Sequence, residues 1–383
     1  MPISQQLPYS LHPVQETTAN IRTQNTINTI NALSAYSDWA SLNDLQADLN
    51  LSRPTLNSVL SSLEKTGLVQ STTAKVGHAL GGRKPQLFKM NPHHHNTLVM
   101  RVNLSGCTGK VISAAGSTIY QHFLPHSDLE STDKTFIALT KELLSKTTGP
   151  VYATTIALMG IVCDGELIRS DSFPALTNKD WVKAIQSLLT DQGHHSDVKI
   201  VNDAKVATQW MYNLLQQNQT EPETLVAIHC SDTVGAGLMF NGKLLEGARG
   251  AAGEILLGDN SDWRGCARRL NGLAQKYGCP ANEIFSVEEI CRQEADEIRS
   301  IGADIGRALI PIINLLDPEM IAIGGALSEC GPLIEPAMAQ VIDGNTSTPP
   351  EIFITPRGTQ SVLSGCFLHA GQHALAKAIA AKG

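Results

Sequence analysis

The sequence predicts an α/β protein in which a winged helix-turn-helix precedes a two-lobed domain with a cleft between its lobes. A short helix, a tight turn, a capped helix and a polar hairpin follow one another between residues 41 and 89. From residue 98 onward, strands alternate with helices in two successive sets, which is typical of two packed α/β lobes. The composition changes at Pro92–Asn96, where we expect a domain boundary.

The helix-turn-helix is predicted from its caps and its apolar spacing. Ser41 starts the first helix, residues 50 and 51 form the turn, and Ser52 is a typical N-cap with Pro54 just inside the second helix. Apolar side chains recur at helical spacing on one face of this second helix, which indicates packing against a core. The opposite face is expected to enter a major groove of DNA. It carries the side chains predicted to contact DNA, which are Arg53, Thr55, Asn57, Ser58 and Ser61.

The charge distribution favours DNA contact over the alternative, an ordinary helical bundle whose polar face meets only water. Residues 53–92 carry six bases and one acid, a net charge of +5, whereas the whole chain has a net charge of -7. Two of these bases, Arg83 and Lys84, belong to the glycine-rich hairpin and are predicted to contact phosphate or the minor groove. Residues 1–20 are polar and are expected to form a loose arm ahead of a supporting first helix.

Composition limits the class of protein. The 383 residues are enough for two or three domains, and no apolar run is long enough to span a bilayer or to form the core of a signal peptide. The eight cysteines are scattered without a C-x-x-C pair, which is typical of reduced thiols in a cytoplasmic protein. Three adjacent histidines, 93–95, do not project to one point, so we expect a solvated linker there and not a metal site.

The second part of the chain is predicted to alternate between strands and helices. Long helices are expected over residues 286–315, and an Ala- and Leu-rich helix over residues 364–381. The predicted strands are 98–104, 110–115, 118–124, 151–159, 198–201, 224–229 and 320–323, and the earlier helices are 133–146, 181–189 and 205–215.

Three features of this part indicate a ligand-binding cleft. Asn202 and Asp203 stand at a strand end just before a helix, where the carboxylate could act as a general base or accept a hydroxyl hydrogen bond. The alternative for Asp203 is a helix cap. A loop of small residues, 247–253, delivers Glu254, and the glycines at 235, 237, 324 and 325 allow a backbone to approach a ligand closely.

Taken together, these motifs resemble the transcriptional regulators of the ROK family over nearly the whole chain. The DNA-binding half is similar in Arg22-x-x-Asn25, in Glu64-x-x-Gly67-Leu68-Val69 and in the Gly81–Pro85 hairpin. The sugar-binding half is similar in Asn202-Asp203-Ala204, Gly235-x-Gly237, Asn241-Gly242, Gly250-x-x-Gly253-Glu254 and Ile323-Gly324-Gly325. The resemblance implies a winged helix-turn-helix over 21–92 and an actin-like (hexokinase-like, ribonuclease H-like) domain over 97–383. Within that domain it implies a first lobe of about 97–203 plus 364–381 and a second lobe of about 204–363.

The chain departs from the family pattern at three places. Family kinases hold ATP phosphates in a D-x-G-G-T loop, but residues 103–107 read Asn-Leu-Ser-Gly-Cys, without the carboxylate and one glycine. Leu257 stands at the position of a zinc-binding His, and only Cys266 remains of the cysteine cluster, so we predict no zinc and no cofactor. Arg268 falls near the acid that usually touches sugar hydroxyls. It is expected either to pair with an anionic sugar or to be an ordinary surface arginine.

The sequence therefore predicts a cytoplasmic DNA-binding regulator, most simply a repressor of genes for carbohydrate uptake or catabolism. Its expected partners are a double-stranded operator and a small sugar-like effector bound by Asn202, Asp203, Glu254 and Arg268. The resemblance implies a homodimer or homotetramer. Two alternatives remain: a sugar kinase with Asp203 as its base, and a regulator that is controlled by a protein partner.

Overall fold

A computed structural model describes residues 18–74, 84–177, 179–255, 261–281 and 283–380. The arm predicted for residues 1–20 lies almost wholly outside these ranges, as do Arg83 and Leu257. Within the described residues, every helix is too short or too polar to cross a lipid bilayer.

Three helices and a small antiparallel sheet form the N-terminal part. The sheet has the strand order β1-β3-β2, in which β2 and β3 pair antiparallel, and residues 75–83 between them lie outside the described ranges. The elements are α1 (Thr18–Ala35), β1 (Ala40–Ser41), α2 (Leu42–Leu49), α3 (Arg53–Thr66), β2 (Val69–Thr73) and β3 (Gln86–Met90).

The caps that define α2 and α3 are formed as the sequence predicts. Ser41 and Asp44 bond reciprocally at the start of α2, a capping box. The Ser52 hydroxyl accepts from the Thr55 amide at 3.3 Å and starts α3, which ends at Gly67 with φ of 80°. The apolar face of α3 is buried together with α1 and the sheet through Leu56, Val59, Leu60, Leu63, Ile27, Ile30, Leu33 and Phe88.

In the described residues that follow, two five-stranded sheets have the strand orders β10-β7-β4-β5-β6 and β13-β12-β11-β14-β15, and β8 and β9 form a separate two-stranded sheet. The strands are β4 (Asn96–Asn103), β5 (Gly106–Ser113), β6 (Thr118–Pro125), β7 (Val151–Leu158), β8 (Ile161–Cys163), β9 (Glu166–Arg169), β10 (Asp197–Asn202), β11 (Thr224–Cys230), β12 (Val234–Phe240), β13 (Lys243–Leu244), β14 (Met320–Gly325) and β15 (Glu351–Ile354). The helices are α4 (Thr132–Leu144), α5 (Trp181–Asp191), α6 (Asp203–Gln217), α7 (Ser261–Tyr277), α8 (Glu288–Gln293), α9 (Ala295–Leu316), α10 (Gly331–Asp343) and α11 (Ser361–Ala380).

The helices make three layers around these sheets. Helices α4 and α5 cover one face of the first sheet, and α7, α9 and α10 cover one face of the second. Helices α6 and α11 pack against each other and share a single core with residues of both sheets. Because α6 begins directly after β10, its N-terminus lies where the two sheets meet.

The helices expected over residues 286–315 are confirmed as α8, which ends at Gln293, and α9, which begins at Ala295. One sequence interpretation was wrong in this part of the chain. The linker 93–95 is not solvated as a whole: His93 is exposed, but His94 is half-buried and His95 is only 1% exposed. Successive side chains of an extended segment point in opposite directions, so one histidine ring can be solvated while the next is buried. Composition alone does not reveal this difference.

Candidate functional site

A cavity of about 110 Å³ lies where the N-terminus of α6 meets the turn after β11 and the loop residues 253–255. Asn202, Asp203 and Glu254, three of the four residues predicted to bind an effector, all line it. The sequence places these side chains up to 52 residues apart, and the meeting of the two sheets brings them together. The cavity is therefore the candidate ligand site.

Asn202 is held by three hydrogen bonds. Its side-chain oxygen accepts from the Lys205 amide at 2.9 Å and caps α6, while its amide nitrogen donates to the Gly160 carbonyl at 2.8 Å. The same nitrogen lies 3.4 Å from Glu254 Oε1. Asn202 is thus both a helix cap and a bridge to the carboxylate on the opposite wall.

Asp203 is a buried carboxylate at the start of α6. It is 7% exposed, and its Oδ1 accepts from the Ala204 amide at 2.9 Å. Burial raises the pKa of Asp203 to about 6, although the positive charge of Arg101 opposes this shift and the nearby Asp232 adds to it. A carboxyl group that titrates close to neutral pH can exchange a proton with a ligand hydroxyl or accept a hydrogen bond from it.

Glu254 is positioned by a loop that only glycine can form. At Gly253, φ is 87°, and an added Cβ would lie 2.1 Å from the Ala236 carbonyl oxygen. Lys205 holds the same loop, because its Nζ donates to the carbonyls of Gly250 at 2.6 Å and Glu246 at 3.1 Å.

The charges around Glu254 are only partly balanced. Burial raises the pKa of the Glu254 carboxyl, and the charge of Asp203 adds to the shift while Lys205 opposes it. The cavity therefore presents carboxylates that hydrogen-bond donors on a ligand would satisfy.

Sequence reasoning missed four charged residues at or beside this site. Arg169 and Asp171 line the cavity and form a two-point ion pair, with Nε–Oδ1 of 2.9 Å and Nη2–Oδ2 of 3.3 Å. Lys205 and Arg101 lie behind it, each 5% exposed. A lone base inside the apolar strand β4 was the available signal for Arg101, since an unpaired charge is rarely buried without a reason.

Two backbone amides of the turn between β4 and β5, at the position of a phosphate loop, donate hydrogen bonds to side chains of this protein. The Asn103 side-chain oxygen accepts from the Gly106 amide at 3.1 Å, and the Leu104 amide donates to Asp232 Oδ2 at 3.1 Å. Asp232 is 2% exposed and comes from the turn after β11, so the bond joins the two sheets. A second hydrogen bond between the two sheets runs from Arg101 Nη2 to Ser231 Oγ, at 3.3 Å.

The structure does not bring Arg268 to the cavity. Arg268 is exposed on α7 and is not among the residues that line the cavity. Its neighbour Arg269 pairs with Glu297, at 2.6 Å, and with Asp304.

The residues predicted to contact DNA lie mostly on the outer face of α3. Arg53, Asn57, Ser58 and Ser61 are exposed. Thr55 is half-buried, and its hydroxyl lies 2.8 Å from that of Ser52. Lys84, at the described base of the hairpin, is also exposed, whereas Arg83 lies outside the described residues. This surface is the candidate nucleic-acid interface.

A family model described as the ROK family matches residues 106–370. A xylose repressor from Staphylococcus xylosus is 23% identical over 261 residues, which covers 67% of this chain and 62% of the repressor. An N-acetylmannosamine kinase from Haemophilus influenzae (strain PittEE) is 30% identical over 153 residues, 35% of this chain and 50% of the kinase. The chain thus matches less than two thirds of the length of each of these two relatives.

Solved structures share the fold. A ROK family transcriptional regulator, described as a homolog of the E. coli MLC protein, has a TM-score of 0.59 at 18% identity and covers 92% of this chain and 99% of that chain. A ROK family glucokinase from Streptomyces griseus, in complex with glucose and AMPPNP, also has a TM-score of 0.59, at 16% identity, over 72% of this chain and 99% of that chain. Regulators and kinases therefore share this architecture, and the residues must distinguish them.

Proposed function

The chain belongs to the ROK family, and on that premise we propose that it is a DNA-binding transcriptional regulator that senses a sugar-like effector. The simplest form of this function is a cytoplasmic repressor of genes for carbohydrate uptake or catabolism. The observation that carries the proposal is the solvent-facing side of the capped helix α3, which a kinase would not need.

Helices α2 and α3 with the β2–β3 hairpin are proposed to form a winged helix-turn-helix, with α3 as the recognition helix. Arg53, Asn57 and Ser61 recur every four residues and so form one stripe along α3. At 1.5 Å per residue this stripe is about 12 Å long, which matches three to four base pairs. Lys84, which is exposed just before β3, would contact the DNA backbone.

Fluorescence anisotropy with duplexes selected from genomic fragments tests DNA binding. We expect an affinity that falls steeply with salt, and Arg53→Ala should weaken it by about 10- to 100-fold if the guanidinium contacts a base. Lys134→Ala, which removes an exposed base from α4, is the matched control and should leave affinity unchanged. The absence of any salt-sensitive affinity for duplex DNA would refute the proposal.

The effector is proposed to be an uncharged, hydroxyl-rich molecule. Asp171, Asp203 and Glu254 all line the cavity, and Arg169, the only basic residue among the described residues that line it, is already paired with Asp171. Carboxylates accept hydrogen bonds from hydroxyls but repel anions. This favours a neutral sugar over the anionic sugar that Arg268 suggested.

Isothermal titration with neutral sugars, uronic acids and sugar phosphates separates these possibilities. We expect binding of a neutral sugar that is lost in Asn202→Ala and unchanged in Arg268→Ala. Tighter binding of an anion that depends on Arg268 would restore the anionic alternative.

A sugar kinase is the second candidate, and the pKa of about 6 at Asp203 favours it, since this value suits a general base. The bonds from Leu104 and Gly106 to Asp232 and Asn103 argue against it, because these amides would otherwise be available to a phosphate. A coupled assay with Mg-ATP and a panel of sugars decides the question. Turnover that Asp203→Asn abolishes would make the protein an enzyme.

The assembly is proposed to be a homodimer or homotetramer, so that two copies of α3 bind two half-sites of a symmetric operator. Effector binding would change the placement of the two copies of α3, and with it the affinity for DNA. A protein partner remains the alternative regulator. Operator affinity that no small molecule changes, together with release by a purified protein, would favour it.

A further inference from the structure

The segment 91–95 connects β3 to β4 and is tied to the end of α3. The Asn91 amide donates to the Leu68 carbonyl at 2.8 Å, and its side chain donates to the Gly67 carbonyl at 3.0 Å. His94 then reaches α3 itself, because its Nε2 lies 3.0 Å from the carbonyl oxygen of Thr66, the last residue of that helix. The start of this segment therefore moves with the proposed recognition helix.

The end of the same segment belongs to the first sheet. His95 stacks on Tyr152 of β7, with ring centroids 4.9 Å apart and planes 2° apart. The next residue, Asn96, accepts from the amides of Thr148 at 2.7 Å and Gly149 at 3.1 Å. Lys377 of α11 lies over Tyr152 at 5.3 Å. His95 is thus fixed to the sheet whose strand β10 leads to Asn202 and the cavity.

One hydrogen bond joins the two halves of the segment. His94 Nδ1 lies 2.9 Å from His95 Nδ1. A carbonyl oxygen can only accept, so His94 Nε2 must donate to Thr66, and in a neutral ring Nδ1 then accepts from His95 Nδ1–H. A protonated His94 would instead donate from Nδ1 to His95 Nδ1, and in either arrangement the two bonds fix the orientation of the two rings relative to each other. Burial also lowers the pKa of His95 to about 3 and keeps it neutral.

We propose that His94 and His95 form the joint that sets the orientation of α3 relative to the effector domain, so that the spacing of the two recognition helices in the assembly is defined. His94 and His95 are positioning residues in this proposal, which rests on the proposed function. They act through α3 and need not touch DNA. A rigid joint makes binding of two half-sites depend on the distance between them, and a loose joint removes that dependence.

The test measures affinity for duplexes in which a half-site pair, selected from a random library, is separated by inserted base pairs. The natural chain should bind the selected spacing at least about 10-fold more tightly than a spacing changed by about 5 base pairs, half a helical turn. His94→Ala should reduce this ratio to about 3-fold or less and leave affinity for a single half-site unchanged. A merely structural defect would instead weaken binding to the paired half-sites and to the single half-site alike.

Two further variants complete the test. His93→Ala removes the exposed neighbouring ring and should behave as the natural chain does. His94→Gln retains an amide donor for Thr66 and should restore part of the spacing preference. Thermal unfolding of each variant confirms that it is folded.

The outcomes are distinct. A spacing preference that is equally strong in His94→Ala, or that is missing from the natural chain while single half-sites are bound, would overturn the joint. A natural chain that binds no duplex at all would refute the proposed function itself.

Discussion

Replacing Asp203 by Asn should stabilise the protein at neutral pH while abolishing effector binding. The pKa of Asp203 is about 6 in the folded protein, against an ordinary value of 3.8. The folded state therefore holds the proton more tightly than the unfolded chain, and the stability that this group contributes is lost as pH rises through about 6. A difference of about two pH units corresponds to about 3 kcal/mol.

Asn resembles the protonated carboxyl, and its side-chain oxygen can still accept from the Ala204 amide. The variant should therefore be more stable than the natural chain by up to about 3 kcal/mol at pH 7.5, and the difference should shrink towards zero below about pH 4. A buried charge that costs stability is expected where it serves binding or catalysis.

Urea denaturation from pH 4 to pH 8 measures this difference. Asp191→Asn, at the exposed C-terminal end of α5, is the matched control and should leave the pH dependence of stability unchanged. A stability difference between the Asp203→Asn variant and the natural chain that stays constant over this pH range, or an Asn variant that is less stable at pH 7.5, would refute the reasoning.

Three further predictions concern backbone and turn positions. Ser52→Ala removes the N-cap of α3 and should cost about 1 kcal/mol in urea denaturation, whereas the mid-helix Ser58→Ala should cost less than half of that. Gly253→Ala would place a Cβ 2.1 Å from a carbonyl oxygen, so titration with the effector should show no binding. The control is Gly165→Ala, where φ is a similar 80° but the space around the new Cβ is open. This variant should lose only about 1 kcal/mol of stability and should bind the effector normally. Asp232→Ala leaves the Leu104 amide without its acceptor and should cost about 1–3 kcal/mol, measured by thermal unfolding; an unchanged melting temperature would show that this bond between the sheets contributes nothing.

Local signals predicted the elements well. Ser41, Ser52 and Gly67 mark α2 and α3 because helix caps depend on neighbouring residues alone. The short hairpin β8–β9 was not predicted, although Asp164-Gly165 between its strands is a typical two-residue turn signal, because strands of three and four residues give too short a pattern to identify. Strand pairing across the second sheet joins residues about a hundred positions apart, which periodicity does not encode.

The cleft was predicted in part for the same reason. Local sequence signals, namely small residues and a strand end, identify Asn202, Asp203 and Glu254 as residues of the cleft. Arg101 contacts Ser231, 130 residues later, and the pattern around Arg101 says nothing of that partner. Arg268 was predicted to bind the effector from its place near a family motif. A place in the sequence does not determine on which side of helix α7 a residue lies.

The central position of α11 has a consequence for how the chain folds during synthesis. Helix α11 packs against β4, β7 and α6, elements made up to about 265 residues earlier. The first sheet therefore lacks one of its covering helices until residues 361–380 have left the ribosome, whereas the contacts of α1–α3 are local and can form early. Helices α1–α3 of a nascent molecule would thus be able to pack before the two large sheets are fully covered, and chaperones would meet the exposed face of the first sheet in between.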